Sequence, residues 1–327
     1  MQTIIIYRNN RSNHDKLRGM KKLLLLCFLI GSLYASQRTQ VHMGTLIRVD
    51  VDEQNLSDDV FALFNDLDNR LSTYKSDSEI SHLNRDHEAN LSNVTRTVLE
   101  RSIEMNHKTQ GAFDITIGSL SHGAYHFGTD EKLPTSAEIR HALTFVGGNH
   151  IWMDDEKVSV TKGTIIDLGG IGKGYAVDLS ITLLEHHGVK KAVIAASGDI
   201  GCLGECEVRI QDPFHPKGVV ATVTSILPRF AISTSGNYER YIRNKEHNHL
   251  LNPKTGKSEQ NFASVTLFGK GDNTALDAIA TGVSIMKLDQ AITVLEREDI
   301  GYFLIQNDGH IFQSKTLEGI TVEKNKL

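Results

Sequence analysis

Apolar residues recur along the chain in short blocks punctuated by Gly, Asn, Asp and Ser, and their period changes from block to block. From His42 to Val51 apolar and polar positions alternate, the period of two of a half-buried strand. Ser57-Asp58-Asp59 then offers a helix start, with Val60, Phe61, Leu63, Phe64, Leu67 and Leu71 on its inner face. A polar loop covers Ser72 to Asp77. Helices are expected over Val94 to His107, stopping at Gly111, and from Pro134 and Ser136 to Leu143. Strand patterns follow at Ile151 to Met153, Val158 to Thr161 and Ile165 to Leu168, then a helix over Tyr175 to His187. Further strands are read at Ala192 to Ala196, Cys206 to Gln211, Val219 to Ile226, Phe230 to Thr234 and Ser264 to Phe268. The last third adds helices over Thr274 to Met286 and Gln290 to Glu296. A closing hairpin, Tyr302 to Ile305 with His310 to Gln313, turns at Asn307-Asp308-Gly309. Strands joined by short turns with helices interspersed predict an α+β fold, its sheets mixed or antiparallel, rather than a regular βαβ array. With no internal repeat and only 5 prolines, residues 36–327 read as one unit.

The N-terminal segment departs from this pattern. Met20-Lys21-Lys22 precedes the apolar run Leu23 to Ile30 and the small-residue exit Ala35-Ser36. That is the layout of a secretory signal over residues 1–35 with its true start at Met20, and it predicts a periplasmic protein. The run is shorter than the about 20 residues a spanning helix needs, so membrane association is expected only through an uncleaved N-terminus. Beyond it only Cys202 and Cys206 remain, as Cys-Leu-Gly-Glu-Cys, which permits a disulfide across a hairpin turn or two partly buried thiols. A net charge of -5 argues against nucleic acid as a partner.

Three segments carry candidate chemistry. In Ile166-Asp167-Leu168-Gly169-Gly170-Ile171-Gly172-Lys173-Gly174, glycines between a strand and a helix start let backbone N–H groups approach an anion, and Lys173 adds a point charge suited to phosphate. The spacing matches neither a P-loop nor a dinucleotide fingerprint, and a plain structural turn would use the same glycines. In Leu276-Asp277-Ala278-Ile279-Ala280-Thr281, Asp277 and Thr281 stand one helical turn apart on one face. Their oxygen donors suit Mg2+; the plainer reading is an exposed Asp and a Thr bonding back to its own helix. His249, ahead of Leu250-Leu251-Asn252-Pro253, sits on a loop where an imidazole can serve as general base, although the chain has 15 histidines. The pairs His247/His249 and His122/His126 lack a third metal ligand. Ser233 to Tyr241 is polar with aromatics, suited to lining a site or ending a strand.

Taken together and in order, Met43-Gly44-Thr45, Leu71-Ser72-Thr73-Tyr74, Gly111-Ala112-Phe113-Asp114, Asp167 to Asp178, Ser197-Gly198-Asp199-Ile200, Ser235-Gly236-Asn237-Tyr238, His249 to Gly256 and Asp277 to Thr281 resemble the FAD:protein FMN transferase family of the ApbE type. The resemblance implies an ApbE-like fold with an FAD cleft between two intimate subdomains. It implies FAD contacts from Met43, Tyr74, Ala112, Phe113, Asp114, Asp167, Lys173 and Leu251, and Mg2+ on Asp277, Thr281 and the Gly170 carbonyl. The implied reaction moves FMN from FAD to a Ser or Thr hydroxyl of an acceptor protein, a subunit of a respiratory or redox membrane complex, and releases AMP. The alternatives are a Mg2+-dependent FAD pyrophosphatase and a non-enzymatic exported flavin-binding protein. The family often has Asp where this chain has Asn237 and Asn252. Asn keeps the shape and loses the charge, which leaves His249 the better candidate base, beside Asp277 and Lys173 in the catalytic set.

Overall fold

The computed structural model of the chain describes residues 37–236, 241–243 and 245–325. The segment read as an export signal and residues Asn237 to Arg240 lie outside the described residues. The chain opens with β1 (Arg38–His42) and β2 (Thr45–Asp50), followed by α1 (Gln54–Leu71), α2 (Glu79–Asp86), β3 (Glu88–Ala89) and α3 (Asn93–Lys108). Two short helices, α4 (Gly118–Ser121) and α5 (Ser136–Leu143), precede β4 (Ile151–Met153) and β5 (Val158–Val160). Helix α6 (Gly172–His186) leads into β6 (Ala192–Ala196), β7 (Asp199–Leu203), β8 (Cys206–Gln211), β9 (Val219–Ser225) and β10 (Arg229–Gly236). The last third holds β11 (Ser264–Lys270), α7 (Asn273–Ser284), α8 (Leu288–Arg297), β12 (Gly301–Ile305), β13 (Ile311–Gln313) and β14 (Ile320–Lys324).

An eight-stranded sheet in the order β1-β2-β6-β7-β10-β11-β12-β13 forms the middle layer, and its neighbouring strands all run antiparallel. Alternate residues of its central strands feed two different cores, as the pleat requires. Leu267, Tyr302 and Leu304 belong to the core that also takes in the apolar faces of α1, α6 and α7, whereas Phe230, Phe268, Phe303 and Ile305 share a second core with the small sheet β14-β9-β8. Burial on both faces is why these strands read as continuous apolar runs. A third cluster, around Leu120, Tyr125, Phe127 and Leu251, joins the α4–α5 region to the segment after His249. The α+β class with antiparallel sheets and flanking helices is therefore the architecture observed.

Several local expectations need correction. His42 to Val51 is not one strand: Met43 (φ 49) and Gly44 (φ 70) turn the chain back, so β1 and β2 form a hairpin. Helix α1 begins at Gln54, placing Ser57 inside it and buried rather than at the start. Ile165 to Leu168 is no strand beyond one bridge from Ile165 to Ile117. There the Asn84 side chain stands in for a neighbouring strand, its amide donating to Ile166 O (2.9 Å) and accepting from Ile166 N (2.7 Å). Helix α6 starts at Gly172, three residues before Tyr175. Helix α2 and strands β3, β7 and β14 have no counterpart among the elements the pattern predicts.

Cys202 and Cys206 form a disulfide across the β7–β8 turn, which settles the choice between a bridge and free thiols. In a loop this short the bridge removes little chain entropy. Thermal or urea unfolding with and without reductant is expected to show a loss of about 2 kcal/mol and no more.

Candidate active site

Helices α6 and α7 meet side by side, and the Gly-rich turn lies where they touch. At Gly174 an added Cβ would stand 2.2 Å from Asn273 O and 2.7 Å from Asp277 Cβ, so only glycine admits this approach. The Gly174 N–H donates to Asp277 Oδ2 at 2.9 Å. Four residues earlier, the Cβ position of Gly170 is 3.0 Å from Thr281 Oγ1 and 3.3 Å from Phe113 Cε2. Met43 Cε comes within 3.4 Å of the corresponding position at Gly172. The fold thus gathers Met43, Phe113, Gly170, Lys173, Asp277 and Thr281 around one turn.

The first turn of α7 is fixed from several sides. Asp178, on α6, accepts from Asn273 N (3.0 Å), Thr274 N (2.7 Å) and Thr274 Oγ1 (2.6 Å), which suits a carboxylate at a helix N-terminus. The Asn273 side chain donates to Ile200 O and Ile232 O of the large sheet. Asp178, quoted above only as the end of a motif, therefore positions α7.

Lys173 Nζ lies 2.7 Å from Asp199 Oδ2 and 3.6 Å from Asp277 Oδ2. Asp199 also accepts from Ser233 Oγ at 2.6 Å. Burial acts to lower the Lys173 ammonium, but the two carboxylates outweigh it and hold Lys173 above the ordinary lysine value. Burial, reinforced by the neighbouring Asp199 charge, raises Asp277 to about 7 against the pull of Lys173. The expectation that Lys173 stands ready for phosphate is thereby modified: its ammonium is engaged by two buried carboxylates. Asp199 was missed as a site residue, and its signal was a lone charge inside the apolar block Ala192 to Leu203.

The turn also spends most of its N–H groups internally. Gly169 N donates to Asp167 Oδ1, Ile171 N and Gly172 N to Leu168 O, and Gly174 N to Asp277. Among the described residues, that leaves Gly170 and Lys173 as the N–H groups of the turn without a protein acceptor.

The oxygen donors fit a small divalent cation. Asp277 is 3% exposed, and only its Oδ2 has protein partners among the described residues. Ser284, on the same helix, bonds back to Ala280 O at 2.7 Å, whereas the Thr281 hydroxyl makes no such bond and is turned to Gly170. No three His, Cys, Asp or Glu side chains among the described residues could hold a metal by themselves. A carboxylate, a hydroxyl and backbone oxygen completed by phosphate and water is the set Mg2+ accepts.

Asp167 stands beside this cluster. Its Oδ2 accepts from Ser121 Oγ (2.8 Å) and lies 3.2 Å from His122 Nε2. Burial would raise this carboxyl, but His122, the Gly169 N–H and Ser121 overcome it and hold Asp167 at about 2. A depressed folded-state value stabilises the fold above the unfolded pKa of about 3.9 and loses that contribution as pH falls towards 2. The stability of Asp167→Asn relative to the parent is therefore expected to lag by about 2 kcal/mol above pH 4 and to converge near pH 2 in urea titrations.

Tyr74 is 56% exposed, anchored by its hydroxyl donating to Phe127 O (3.3 Å) and set edge-on to His122 (5.4 Å between centroids). An exposed ring with a fixed tip suits stacking on a flat heteroaromatic. The Asp114 carboxylate is turned inwards, accepting from Thr116 N, Thr116 Oγ1 and Asn106 Nδ2, so it braces the Ala112–Phe113 loop. Leu251 is buried in the third cluster. His249 lies between anchored residues: Asn248 donates to Glu259 O and accepts from Leu250 N, and Tyr125 OH donates to Gly256 O further on. Position 237 is outside the described residues, and Asn252 spends its side chain on Glu259 and Lys254 N.

The ApbE family model matches residues 43–304, from Met43 through both halves of this site. The chain belongs to the ApbE family. Among relatives, the FAD:protein FMN transferase of Haemophilus influenzae is 28% identical over 280 residues, covering 79% of this chain and 80% of that protein. That of Salmonella typhimurium is 30% identical over 268 residues, 75% of each. The flavin transferase ApbE from Vibrio cholerae superposes with a TM-score of 0.74 at 25% identity, covering 86% of this chain and 97% of that one. The ApbE protein of Thermotoga maritima shares the fold with a TM-score of 0.79, over 86% and 97%.

Proposed function

We propose that this ApbE-family chain transfers the FMN half of FAD to a Ser or Thr hydroxyl of an acceptor protein and releases AMP. The observation that carries the reading is the contact of the Asp277–Thr281 face of α7 with Gly170 and Gly174, which puts oxygen donors for a cation against a turn suited to phosphates. Asp277, the Thr281 hydroxyl and the Gly170 carbonyl would hold Mg2+. When bound, the ion supplies positive charge that offsets the charge on the pyrophosphate oxygens. Phosphoryl transfer depends chiefly on positioning and charge, which the chain's own groups provide. The Gly170 and Lys173 N–H groups orient the pyrophosphate. Met43, Tyr74, Ala112, Phe113 and Asp167 hold the rest of FAD, with Leu251 at the loop that carries His249. His249 takes the proton of the acceptor hydroxyl as its oxygen bonds to the FMN-side phosphorus. The bond from that phosphorus to the bridging oxygen breaks, and AMP leaves with that oxygen.

Export to the periplasm is proposed on the basic-apolar-small pattern of residues 20–36. A subunit of a redox membrane complex is the acceptor proposed. The deciding experiment incubates the protein with FAD, Mg2+ and a candidate acceptor, then separates denatured proteins. Flavin fluorescence on the acceptor band is the expected result. Free FMN and AMP without a labelled band would favour a pyrophosphatase, and intact FAD after prolonged incubation a flavin-binding protein.

A further inference from the structure

His122 lies between two of the segments assigned to FAD, yet no role falls to it in the reaction above. It closes α4, with its backbone N–H on Gly118 O. Helix α4 is itself pressed onto the Gly-rich segment: an added Cβ on Gly118 would stand 2.3 Å from Ile165 O. The base of the imidazole is therefore fixed. Its Nε2 lies 3.2 Å from Asp167 Oδ2 and 3.3 Å from Thr73 Oγ1, and its ring meets the Tyr74 ring edge-on at 73°. An ionised carboxylate only accepts hydrogen bonds, so the proton of this contact is on Nε2. One donor thus spans from Asp167, ahead of the glycine turn, to the Ser72-Thr73-Tyr74 loop. The side chain is 18% exposed and Asp167 21%. Water therefore competes little for the contact.

We propose that His122 is a positioning residue for FAD: its Nε2–H ties Asp167 to the Thr73–Tyr74 loop and holds the carboxylate and the aromatic ring at one spacing for the ligand. The inference rests on the FAD reading above. Removing the imidazole leaves Asp167 its Ser121 and Gly169 donors, so the carboxylate keeps its place. The Tyr74 loop loses its tie to Asp167 and its ring contact, and keeps the bonds of the Tyr74 hydroxyl to Phe127 O and of the Ser78 and Ser81 hydroxyls to Ser72 O. The cost then falls on ligand binding and, through the lost support of the Asp167 carboxylate, in part on folding, but not on the chemical step.

The test titrates FAD into the full chain without divalent cation, following flavin fluorescence, and then measures KM and kcat with Mg2+ and acceptor. His122→Ala is expected to raise Kd and KM for FAD about tenfold, with kcat within about threefold, the size of one hydrogen bond to a charged group. His122→Gln, whose amide nitrogen reaches about as far as Nε2, is expected to restore binding to within about threefold, because it returns the donor. Unchanged FAD affinity in His122→Ala overturns the inference. So does a Gln variant no better than Ala, or a fall in kcat at constant KM. A wild-type protein that binds no FAD overturns the FAD reading together with it, whereas wild-type binding with an indifferent His122→Ala overturns this inference alone.

Discussion

Asp277→Ala is expected to lower Mg2+-dependent flavin transfer on the order of 10³-fold, the scale of losing a principal electrostatic contact in a phosphoryl-transfer site. Asp277 is the one carboxylate of the proposed cation set, and its partners in that set are a hydroxyl and a backbone carbonyl. Neither carries charge. Flavin affinity measured without cation should change by only a few fold, because Met43, Tyr74, Phe113 and Asp167 reach their places without it. Stability should move the other way. Asp277 is buried beside the Asp199 carboxylate, which raises its folded-state value to about 7. A carboxyl with a raised folded-state value costs stability once pH climbs past its unfolded value of about 3.9, and the cost is complete above the folded value. At pH 8 without divalent cation, Asp277→Asn should therefore melt at or above the parent temperature while its activity is lost. Added Mg2+ should raise the melting temperature of the parent and not of the variant. A variant that keeps transfer, or that gains the same Mg2+-dependent rise, would remove Asp277 from the cation site.

The legible parts of this molecule are those where one physical pattern dominates. The central strands bury both faces and, β7 apart, read as apolar runs, and α1 and α3 present one apolar face each. Some of the unread parts depend on groups far along the chain. The Ile166 segment has the apolar side chains of a strand, but its backbone is satisfied by Asn84, 82 residues away. Helix α2 buries only Ile80 and Leu83 on the apolar side, too few to mark a period. At the site, residue chemistry points to Asp277 and Thr281 and the family resemblance adds the Gly170 carbonyl, and the fold brings the three together. The inward turn of Asp114 was illegible, since it depends on Asn106 and Thr116. For Asp199 the lone charge in an apolar block is legible, but its salt bridge to Lys173 joins β7 to α6, and no local pattern encodes that pairing.

Gly174→Ala should be the most damaging single methyl group in this site. Its Cβ would meet Asn273 O at 2.2 Å, Asp277 Cβ at 2.7 Å and Asn273 C at 2.8 Å. The obstacle is mostly backbone, and that backbone cannot step aside. Asp178 holds the N–H groups of Asn273 and Thr274, and the Asn273 side chain is bonded to both Ile200 O and Ile232 O. Either α7 tears away from the sheet or α6 shifts away from α7. Overpacking against fixed backbone costs about 3 kcal/mol or more, a fall of roughly 5–10 °C in melting temperature for a chain of this size. Whichever helix moves, the bond from Gly174 N–H to Asp277 stretches and Gly170 separates from Thr281, so activity should fall below the detection of a flavin-transfer gel even in protein that stays folded. Gly269→Ala is the control, since nothing lies within 4 Å of its Cβ position. That variant should melt within about 0.5 kcal/mol of the parent, as surface substitutions ordinarily do. If Gly174→Ala melted with Gly269→Ala and kept its activity, the close seating of α6 on α7 would not be what holds the glycine turn against the Asp277–Thr281 face.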